Sequence, residues 1–409
     1  MKKILFIFFF VPLLSIGQQG IKFQHSLSWK QIIQKAKTEN KYIFVDAFAT
    51  WCGPCKYMAA KIFPQEQVGE LFNSHFINVK VQMDTSAKDN ADVKKWYADA
   101  SAISKDYKVK AYPTFLFFSP GGKLVHRVVG SMEADELNTK AKNALDESTQ
   151  YYSMLSQYRN GKKEADFLKK LAYAADDAYE SENMTLVSND YLATQKEFLT
   201  DENMDFIFHF TQSSKDVGFA VLLANETKLN EVKKNTAATD LILEIIKKDE
   251  IYPSFKTKNT TGANWTALYL SISKKYPKHA DEAIAGGKVA YYQKNHDWEH
   301  FQTAVRDYMN KYGEKATAVQ LNDFAWTVFE NCKDMTCVQD ALEWSKRSIS
   351  EKEESAYIDT YANLLYRMGR KDEAISWEQK GLSMVGEEEK GDFVATIEKM
   401  KKGEKTWKE

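Results

Sequence analysis

The spacing of apolar residues divides this 409-residue chain into an N-terminal part that mixes strands with helices and a longer helical part. In the N-terminal part, short apolar runs predict buried strands at 42–48, 76–83, 114–118 and 123–129. Apolar residues at helical spacing between these runs predict helices within 29–38, 54–62, 68–72, 84–107 and 134–146. The alternation predicts an α/β domain over 25–147, with a mixed central sheet and helices on its faces.

After residue 147 the pattern is helical almost throughout. Apolar residues recur at helical spacing and prolines are rare, which predicts an all-α region over 148–315. Within 316–400 a similar pattern occurs twice, with first helices near 321–326 and 359–365 and second helices near 341–346 and 374–380. These two units resemble tetratricopeptide repeats, and Gly369 marks the turn of the second unit.

The stretch Trp51–Cys55, of sequence Trp-Cys-Gly-Pro-Cys, lies between the first predicted strand and the helix that follows it. Cys52 should face the positive end of that helix, where unpaired N–H groups favour a thiolate over a thiol. Pro54 suits the first helical turn, because its missing N–H has no partner there. Cys55 lies three residues after Cys52, so the two sulfurs can form a disulfide. We expect an exposed, reactive Cys52 and a shielded Cys55.

A Cys-x-x-Cys pair also occurs as half of a zinc site or as an inert disulfide. Zinc needs two further ligands, and neither this pair nor Cys332 and Cys337 is accompanied by a Cys or His cluster. We therefore predict redox chemistry at Cys52 and Cys55, with no metal and no cofactor. Cys332 and Cys337 flank the turn of a predicted helical hairpin. The first expectation for them is a structural disulfide, and the alternative is a second redox centre.

The N-terminus predicts export. Two lysines, an apolar run and a small residue at Gly17 are typical of a secretory signal peptide over 1–17, with an uncleaved anchor as the alternative. No later run reaches the roughly 20 apolar residues of a membrane-spanning helix, so no integral membrane segment is expected after cleavage. A periplasmic or secreted location suits the even count of four cysteines. The net charge of −1 gives no reason to expect nucleic acid as a partner.

Beyond these patterns, residues 25–147 resemble the thioredoxin superfamily. The resemblance rests on the sequences at 45–56, 80–84 and 107–114 and on a glycine after the last strand, Gly130. The lead-in to the first strand and the segment after the cysteines are similar to exported thioredoxin-like proteins related to the DsbD C-terminal domain. The stretch between Asp84 and Pro113 is longer than in a minimal thioredoxin, so we expect an altered surface beside the site.

The resemblance implies chemical roles for four residues. Cys52 would attack a substrate disulfide as a thiolate, and Cys55 would resolve the mixed disulfide. Asp46 would be a buried carboxylate of raised pKa that accepts the proton of Cys55, and Lys80 on the neighbouring strand would adjust that pKa. The alternative for Asp46 is a solvated residue at the end of a strand.

The resemblance also implies a surface that binds substrate. A cis peptide bond between Tyr112 and Pro113 would lie opposite Cys52 and leave backbone groups free to pair with an extended chain. Gly53 and Pro54 would line the same surface. Trp51 is expected to pack against the active-site loop rather than to contact substrate specifically.

Together these features predict an exported thiol–disulfide oxidoreductase, a reductase or isomerase, that acts on protein disulfides. The Gly-Pro pair between the cysteines resembles the reducing members of the family. Because such a protein would need electrons in an oxidising compartment, we expect a membrane electron donor as a further partner. The alternative is a binding scaffold whose helical repeats contact other proteins, with a redox-inactive thioredoxin-like domain.

Overall fold

The computed structural model describes residues 20–256 and 263–407, and the predicted signal peptide at 1–17 lies outside this part of the chain. The chain divides into two compact units between Glu197 and Phe198. Among the described residues, the helices are all too short or too polar to cross a membrane.

The first unit contains the sheet and the helices around it. Its strands are β1 (Phe23–Gln24), β2 (Tyr42–Phe48), β3 (Phe76–Gln82), β4 (Thr114–Phe118) and β5 (Leu124–Val129). Its helices are α1 (Trp29–Glu39), α2 (Gly53–Tyr57), α3 (Glu66–His75), α4 (Ala91–Lys95), α5 (Tyr97–Asp106), α6 (Ala134–Leu145), α7 (Tyr151–Arg159), α8 (Ala165–Asp177) and α9 (Ser181–Thr194).

The five strands form one mixed sheet in the order β1-β3-β2-β4-β5. β3 runs parallel to β1 and β2, whereas β4 is antiparallel to both β2 and β5. The predicted mixed sheet is therefore confirmed. β1 was not predicted, because two residues carry no periodic signal and pair only through the neighbouring strand.

Helices cover both faces of the sheet, so its central strands are apolar on both sides. Phe44 of β2 packs with α3 and α6 in one core cluster. Its neighbours Ile43 and Val45 pack with α1 and α5 in a second cluster on the opposite face. This alternation follows from the period of two in a strand, and it explains why β2 reads as a continuous apolar run.

Two local differences separate the observed helices from the predicted ones. The single polar helix predicted between 84 and 107 is in fact two helices, α4 and α5, which meet at Trp96. After α2 the chain continues as one π-helical turn, Met58–Ile62, and the helix ends before Pro64 as predicted. Phe63 still has helical backbone angles, φ −60° and ψ −28°, and the helix ends because Pro64 has no N–H with which to continue the hydrogen-bond ladder.

Three further helices, α7, α8 and α9, belong to the same compact unit as the sheet. α7 and α8 pack against β5, which is an edge strand. The backbone N–H of Tyr151, at the start of α7, donates to Nδ1 of the buried His126 on β5 at 3.0 Å. α7 and α8 therefore lie against the outermost strand of the sheet.

The second unit is helical throughout its described part. Its α-helices are α10 (Asp201–Phe210), α11 (Val217–Lys233), α12 (Ala237–Ile246), α13 (Trp265–Lys275), α14 (Ala280–Lys294), α15 (Trp298–Tyr312), α16 (Ala318–Asn331), α17 (Met335–Glu351), α18 (Ser355–Arg367), α19 (Lys371–Met384) and α20 (Lys390–Lys402). The all-α prediction for this part is confirmed. α16 pairs with α17 and α18 pairs with α19, as the two predicted hairpins require. Gly369 has a φ of +80° in the second turn, which glycine adopts without a steric penalty.

Cys332 and Cys337, the helical thiol pair, lie at the turn between α16 and α17. They are free and fully buried, so the predicted structural disulfide is not present. The Cys337 thiol donates a hydrogen bond to Cys332, which lowers the pKa of Cys332. Both side chains belong to the apolar core of the unit, where a reduced thiol packs as a small apolar group.

Candidate active site

The Cys-Gly-Pro-Cys segment lies where β2 ends and α2 begins. Cys52 is the N-cap residue of α2, and its Sγ accepts the backbone N–H of Cys55 at 3.1 Å. Pro54 occupies the first turn, as predicted. Cys52 and Cys55 are joined by a disulfide. After reduction, the same N–H group and the positive end of the helix would stabilise a negative charge on Cys52.

The predicted contrast in exposure between the two cysteines is wrong for the disulfide form. Cys52 is 4% exposed and Cys55 is 6% exposed, so both are covered to a similar degree. Ala49, Phe48 and Tyr112 pack around the pair. The disulfide itself also places each sulfur against the other, which removes surface from Cys52 that a free thiol would keep.

The residues next to the cysteines are nevertheless accessible. Trp51 is 70% exposed, and Gly53 and Pro54 are exposed as well. The Trp51 ring meets the half-buried Tyr112 ring edge-on, with 5.9 Å between the ring centroids. Tyr112 belongs to the loop before β4, so this contact differs from the predicted packing of Trp51 against the active-site loop. Because most of the indole faces solvent, it also remains available to a bound chain.

Asp46 is buried in β2, as predicted, and is 2% exposed. Burial raises the pKa of its carboxyl group from 3.8 to about 7, although the Lys80 ammonium counteracts part of this increase. Lys80 Nζ lies 3.7 Å from Asp46 Oδ2, which is an ion-pair distance too long for a hydrogen bond. Oδ1 is buried and has no hydrogen-bond partner within the described structure. A weakly solvated carboxyl group of this kind can exchange a proton near neutral pH.

The position of Lys80 follows from the sheet register, in which β3 places it directly beside Asp46. Its ammonium lies over the Phe48 ring, 4.8 Å from the centroid. On its solvent side Lys80 lines a cavity of about 440 Å³ together with Phe48, Val93 and Trp96. The two last residues come from the long stretch between β3 and β4. Lys80 therefore lies next to both the buried carboxyl group and this cavity.

The peptide bond between Tyr112 and Pro113 is cis, which confirms the prediction. It lies just before β4, whose partner strand β2 leads into the cysteines. The Pro113 carbonyl accepts the N–H of Gly130 at 2.9 Å, and Gly130 has a φ of +105°. The glycine predicted after the last strand thus fixes the end of the cis-proline loop, at a backbone conformation that other residues rarely adopt.

Asp84 is a site residue whose role was not predicted. Its carboxylate accepts the backbone N–H of Thr50 at 2.9 Å and also the Thr50 hydroxyl. Thr50 directly precedes Trp51, so Asp84 anchors the loop that carries the cysteines. The available signal was positional: β2 and β3 are parallel, so residues at their carboxyl ends meet at one edge of the sheet.

The described part of the chain has no group of three or more His, Cys, Asp or Glu side chains placed to hold a metal ion. What the arrangement offers is a redox-active sulfur pair at a helix start, a buried carboxyl group that titrates near pH 7 and a cis-proline loop. The combination fits dithiol–disulfide exchange, in which one thiolate attacks and the second thiol must lose a proton.

Comparison with known proteins agrees with this geometry. A family model described as a thioredoxin-like domain matches residues 29–145. Over 122 residues the chain is 31% identical to thioredoxin H-type 2 of Nicotiana tabacum. The matched stretch covers 30% of this chain and 87% of the tobacco protein. Over 107 residues it is 35% identical to thioredoxin-2 of Pyricularia oryzae, which covers 26% of this chain and 52% of that protein. The match thus spans about half the length of the fungal relative.

Two solved structures are also similar to part of the chain. A proposed disulphide-isomerase from Bacteroides thetaiotaomicron is 37% identical, with coverage of 31% of this chain and 95% of that chain and a TM-score of 0.26. The oxidised DsbD C-terminal domain of Neisseria meningitidis is 21% identical, with coverage of 28% and 91% and a TM-score of 0.23.

Fold and site define the N-terminal unit as a thiol–disulfide oxidoreductase domain. The chain belongs to the thioredoxin family, since its likeness to the tobacco thioredoxin extends over most of that protein.

Proposed function

We propose that this protein is an exported reductase or isomerase of protein disulfides that works through Cys52 and Cys55. The observation that carries the proposal is the sulfur pair at the start of α2, which follows directly on β2, the strand that holds a buried carboxyl group, Asp46, with a pKa of about 7. A disulfide with a purely structural role does not require a proton acceptor that titrates near neutral pH.

In the first step, the reduced protein meets a substrate disulfide. The Cys52 thiolate attacks one substrate sulfur, a mixed disulfide forms, and the other substrate sulfur leaves as a thiolate. The N–H of Cys55 and the helix start favour the thiolate form of Cys52. The exposed Trp51 and the cis-proline loop flank the position that the substrate chain would take.

In the second step, Cys55 attacks Cys52 and releases the second substrate thiolate. Cys55 must lose its proton for this attack, and Asp46 is the acceptor. At a pKa of about 7 the carboxyl group is close to half ionised at neutral pH, so it can both accept the proton and pass it on. Lys80 lies beside Asp46, and its positive charge favours the ionised carboxylate once the proton has left. The protein ends with the Cys52–Cys55 disulfide.

Electrons must then return to that disulfide from outside the chain. The predicted signal peptide and the likeness to the DsbD domain support a membrane donor in an oxidising compartment. For the helical unit after Glu197 we propose that it binds partner proteins, since paired helices of the tetratricopeptide-like kind offer extended surfaces.

Insulin reduction with dithiothreitol as electron source tests the activity. The parent protein should accelerate the appearance of reduced insulin chains, and the Cys52→Ser variant should lose this acceleration, because it lacks the attacking sulfur. Equal rates for parent and variant would refute the proposal. That result would leave the binding-scaffold alternative.

The Cys55→Ser variant identifies the substrate. It retains the attacking thiol but cannot resolve the intermediate, so a mixed disulfide with Cys52 should accumulate in cells and be identified by mass spectrometry. The double variant lacking both thiols is the matched control and should trap nothing. Trapped exported proteins would support the proposed location, whereas exclusively cytoplasmic ones would contradict it.

A further inference from the structure

The cis-proline loop, defined as residues 107–113, is held at one end by β5 and at the other by Gly130, the residue that follows β5. At its end, the N–H of Gly130 binds the Pro113 carbonyl at 2.9 Å. At its start, the side chain of Arg127 binds two successive carbonyls. Nη1 donates to the Tyr107 carbonyl and Nη2 donates to the Lys108 carbonyl, each at 3.2 Å. The planar guanidinium thus fixes two adjacent peptide groups in one orientation.

The start of the loop needs such an anchor. Lys108 has a φ of +50°, a left-handed conformation that a lysine adopts only at an energetic cost. The Arg127 side chain that binds its carbonyl is itself 3% exposed, so its position is set by packing on all sides. Four residues after Lys108, Tyr112 meets the ring of Trp51 beside the cysteines. A shift at residue 108 would therefore be transmitted to the substrate-binding end of the loop.

The counter-charge of Arg127 comes from the helices that follow the thioredoxin-like domain. Glu180, the N-cap residue of α9, places Oε1 3.3 Å from Arg127 Nη1. A buried guanidinium without a carboxylate would be drawn toward solvent or toward another acceptor. Glu180 is held in turn by its own N–H, which donates to the Ala175 carbonyl of α8 at 3.0 Å.

We propose that Arg127 and Glu180 are positioning residues for substrate binding, through which the α8–α9 helices hold the cis-proline loop in its binding conformation. The inference rests on the proposed disulfide exchange and deepens it. According to this inference, α8 and α9 contribute to the binding of protein substrates and take no part in the reactions of the sulfurs. A small disulfide that reacts directly with Cys52 needs no pairing with the loop, whereas an extended protein chain does.

The variant Glu180→Ala tests the inference, and Asp177→Ala is its matched control. Asp177, on α8, pairs with Lys140 of α6 at 2.5 Å and so ties the same helices to the same domain, but it does not contact the loop. The two carboxylates are equally accessible, at 29% and 30%. Loss of either ion pair should weaken the packing of α8 and α9 on the thioredoxin-like domain. Only the loss of Glu180 should also release the cis-proline loop.

For Glu180→Ala we expect the KM for insulin to rise by about tenfold, the change that corresponds to one lost charge-assisted hydrogen bond. The rate with a small aromatic disulfide, Ellman's reagent, should stay that of the parent. Asp177→Ala should change neither value. Glu180→Gln keeps an acceptor and should give an intermediate KM. Equal KM values for Glu180→Ala and Asp177→Ala, with an active parent, would overturn this inference alone.

Limited trypsin digestion gives a second readout that does not depend on activity. Lys108 and Lys110 are exposed cleavage sites within the loop. Cleavage after them should be faster in Glu180→Ala than in the parent or in Asp177→Ala. Unchanged cleavage would overturn the anchoring. A parent protein without insulin turnover would overturn the proposed function itself, and the inference with it.

Discussion

The buried carboxyl group of Asp46 should make the folded protein less stable as pH rises. In the unfolded chain Asp46 has an ordinary pKa of 3.8, whereas burial raises the pKa to about 7 in the fold. Between these values the folded protein holds a proton that the unfolded chain has released. Stability from this group is therefore fully present below pH 3.8 and is lost as pH rises to about 7.

The substitution Asp46→Asn keeps the shape of the side chain and removes its titration. A pKa difference of about three corresponds to about 4 kcal/mol of unfolding free energy. We expect the stability of the variant relative to the parent to increase by about 3 kcal/mol from pH 5 to pH 8, because the parent loses that much as Asp46 ionises. A buried amide that lacks partners costs the same at both pH values. The change in the stability difference between the two pH values is therefore the diagnostic quantity.

The assay must report on the sheet and not on the helical unit. Both proteins are kept in the disulfide form, so that the thiols of Cys52 and Cys55 do not titrate. Urea unfolding is then followed by hydrogen exchange of peptides from β2, β3 and β4, and the free energies at pH 5 and pH 8 are compared. The variant Thr38→Ala, on the exposed surface of α1, is the control and should show no pH-dependent change relative to the parent.

An equal stability difference at pH 5 and pH 8 would refute the reasoning. It would mean that Asp46 ionises at its ordinary pKa, and the carboxyl group could not serve as the acceptor for Cys55. A stability difference that grows toward low pH would refute it as well, since it requires a lowered pKa.

Three further outcomes are expected. Lys80→Met removes the ammonium that lowers the pKa of Asp46, so the pH profile of insulin reduction should move to higher pH; an unchanged profile would contradict this. Gly381→Ala places a Cβ 2.5 Å from Cε1 of Phe393 and should cost about 1–3 kcal/mol in urea unfolding, whereas Gly386→Ala, whose Cβ meets nothing within 4 Å, should cost less. While Cys52 and Cys55 are kept in their disulfide, Cys332 and Cys337 should react with two iodoacetamide molecules in urea and with none in the native protein. No reaction in urea would show that Cys332 and Cys337 form a disulfide.

The elements that the sequence predicted are those whose signal is local. β2 is a run of seven residues with both faces buried, so its apolar character is visible without its neighbours. The helix start at Cys52 is marked by the proline two residues later. By contrast, the strand at Phe23 exists only through its pairing with Asn78 of β3. No periodicity in two residues could have indicated it.

The same distinction applies to the site. Asp46 and Lys80 were predictable because strand, cysteines and neighbouring strand keep a recognisable order along the chain. The bonds from Asp84 to Thr50 and from Arg127 to the loop join residues that are 34 and about 20 positions apart, and only the packed sheet brings them together. The exposure of Cys52 was mispredicted because covering groups such as Tyr112 come from a distant loop.

The cover that α7 and α8 place over β5 matters for anyone who wishes to produce the redox domain by itself. A recombinant fragment cut at the end of the family match, residue 145, would leave that outer strand bare and the imidazole of His126 without the N–H that it accepts. Bare outer strands pair between molecules, so such a fragment should precipitate or form dimers. A fragment that extends to residue 197 keeps the strand sheltered, and it is the shorter piece worth cloning.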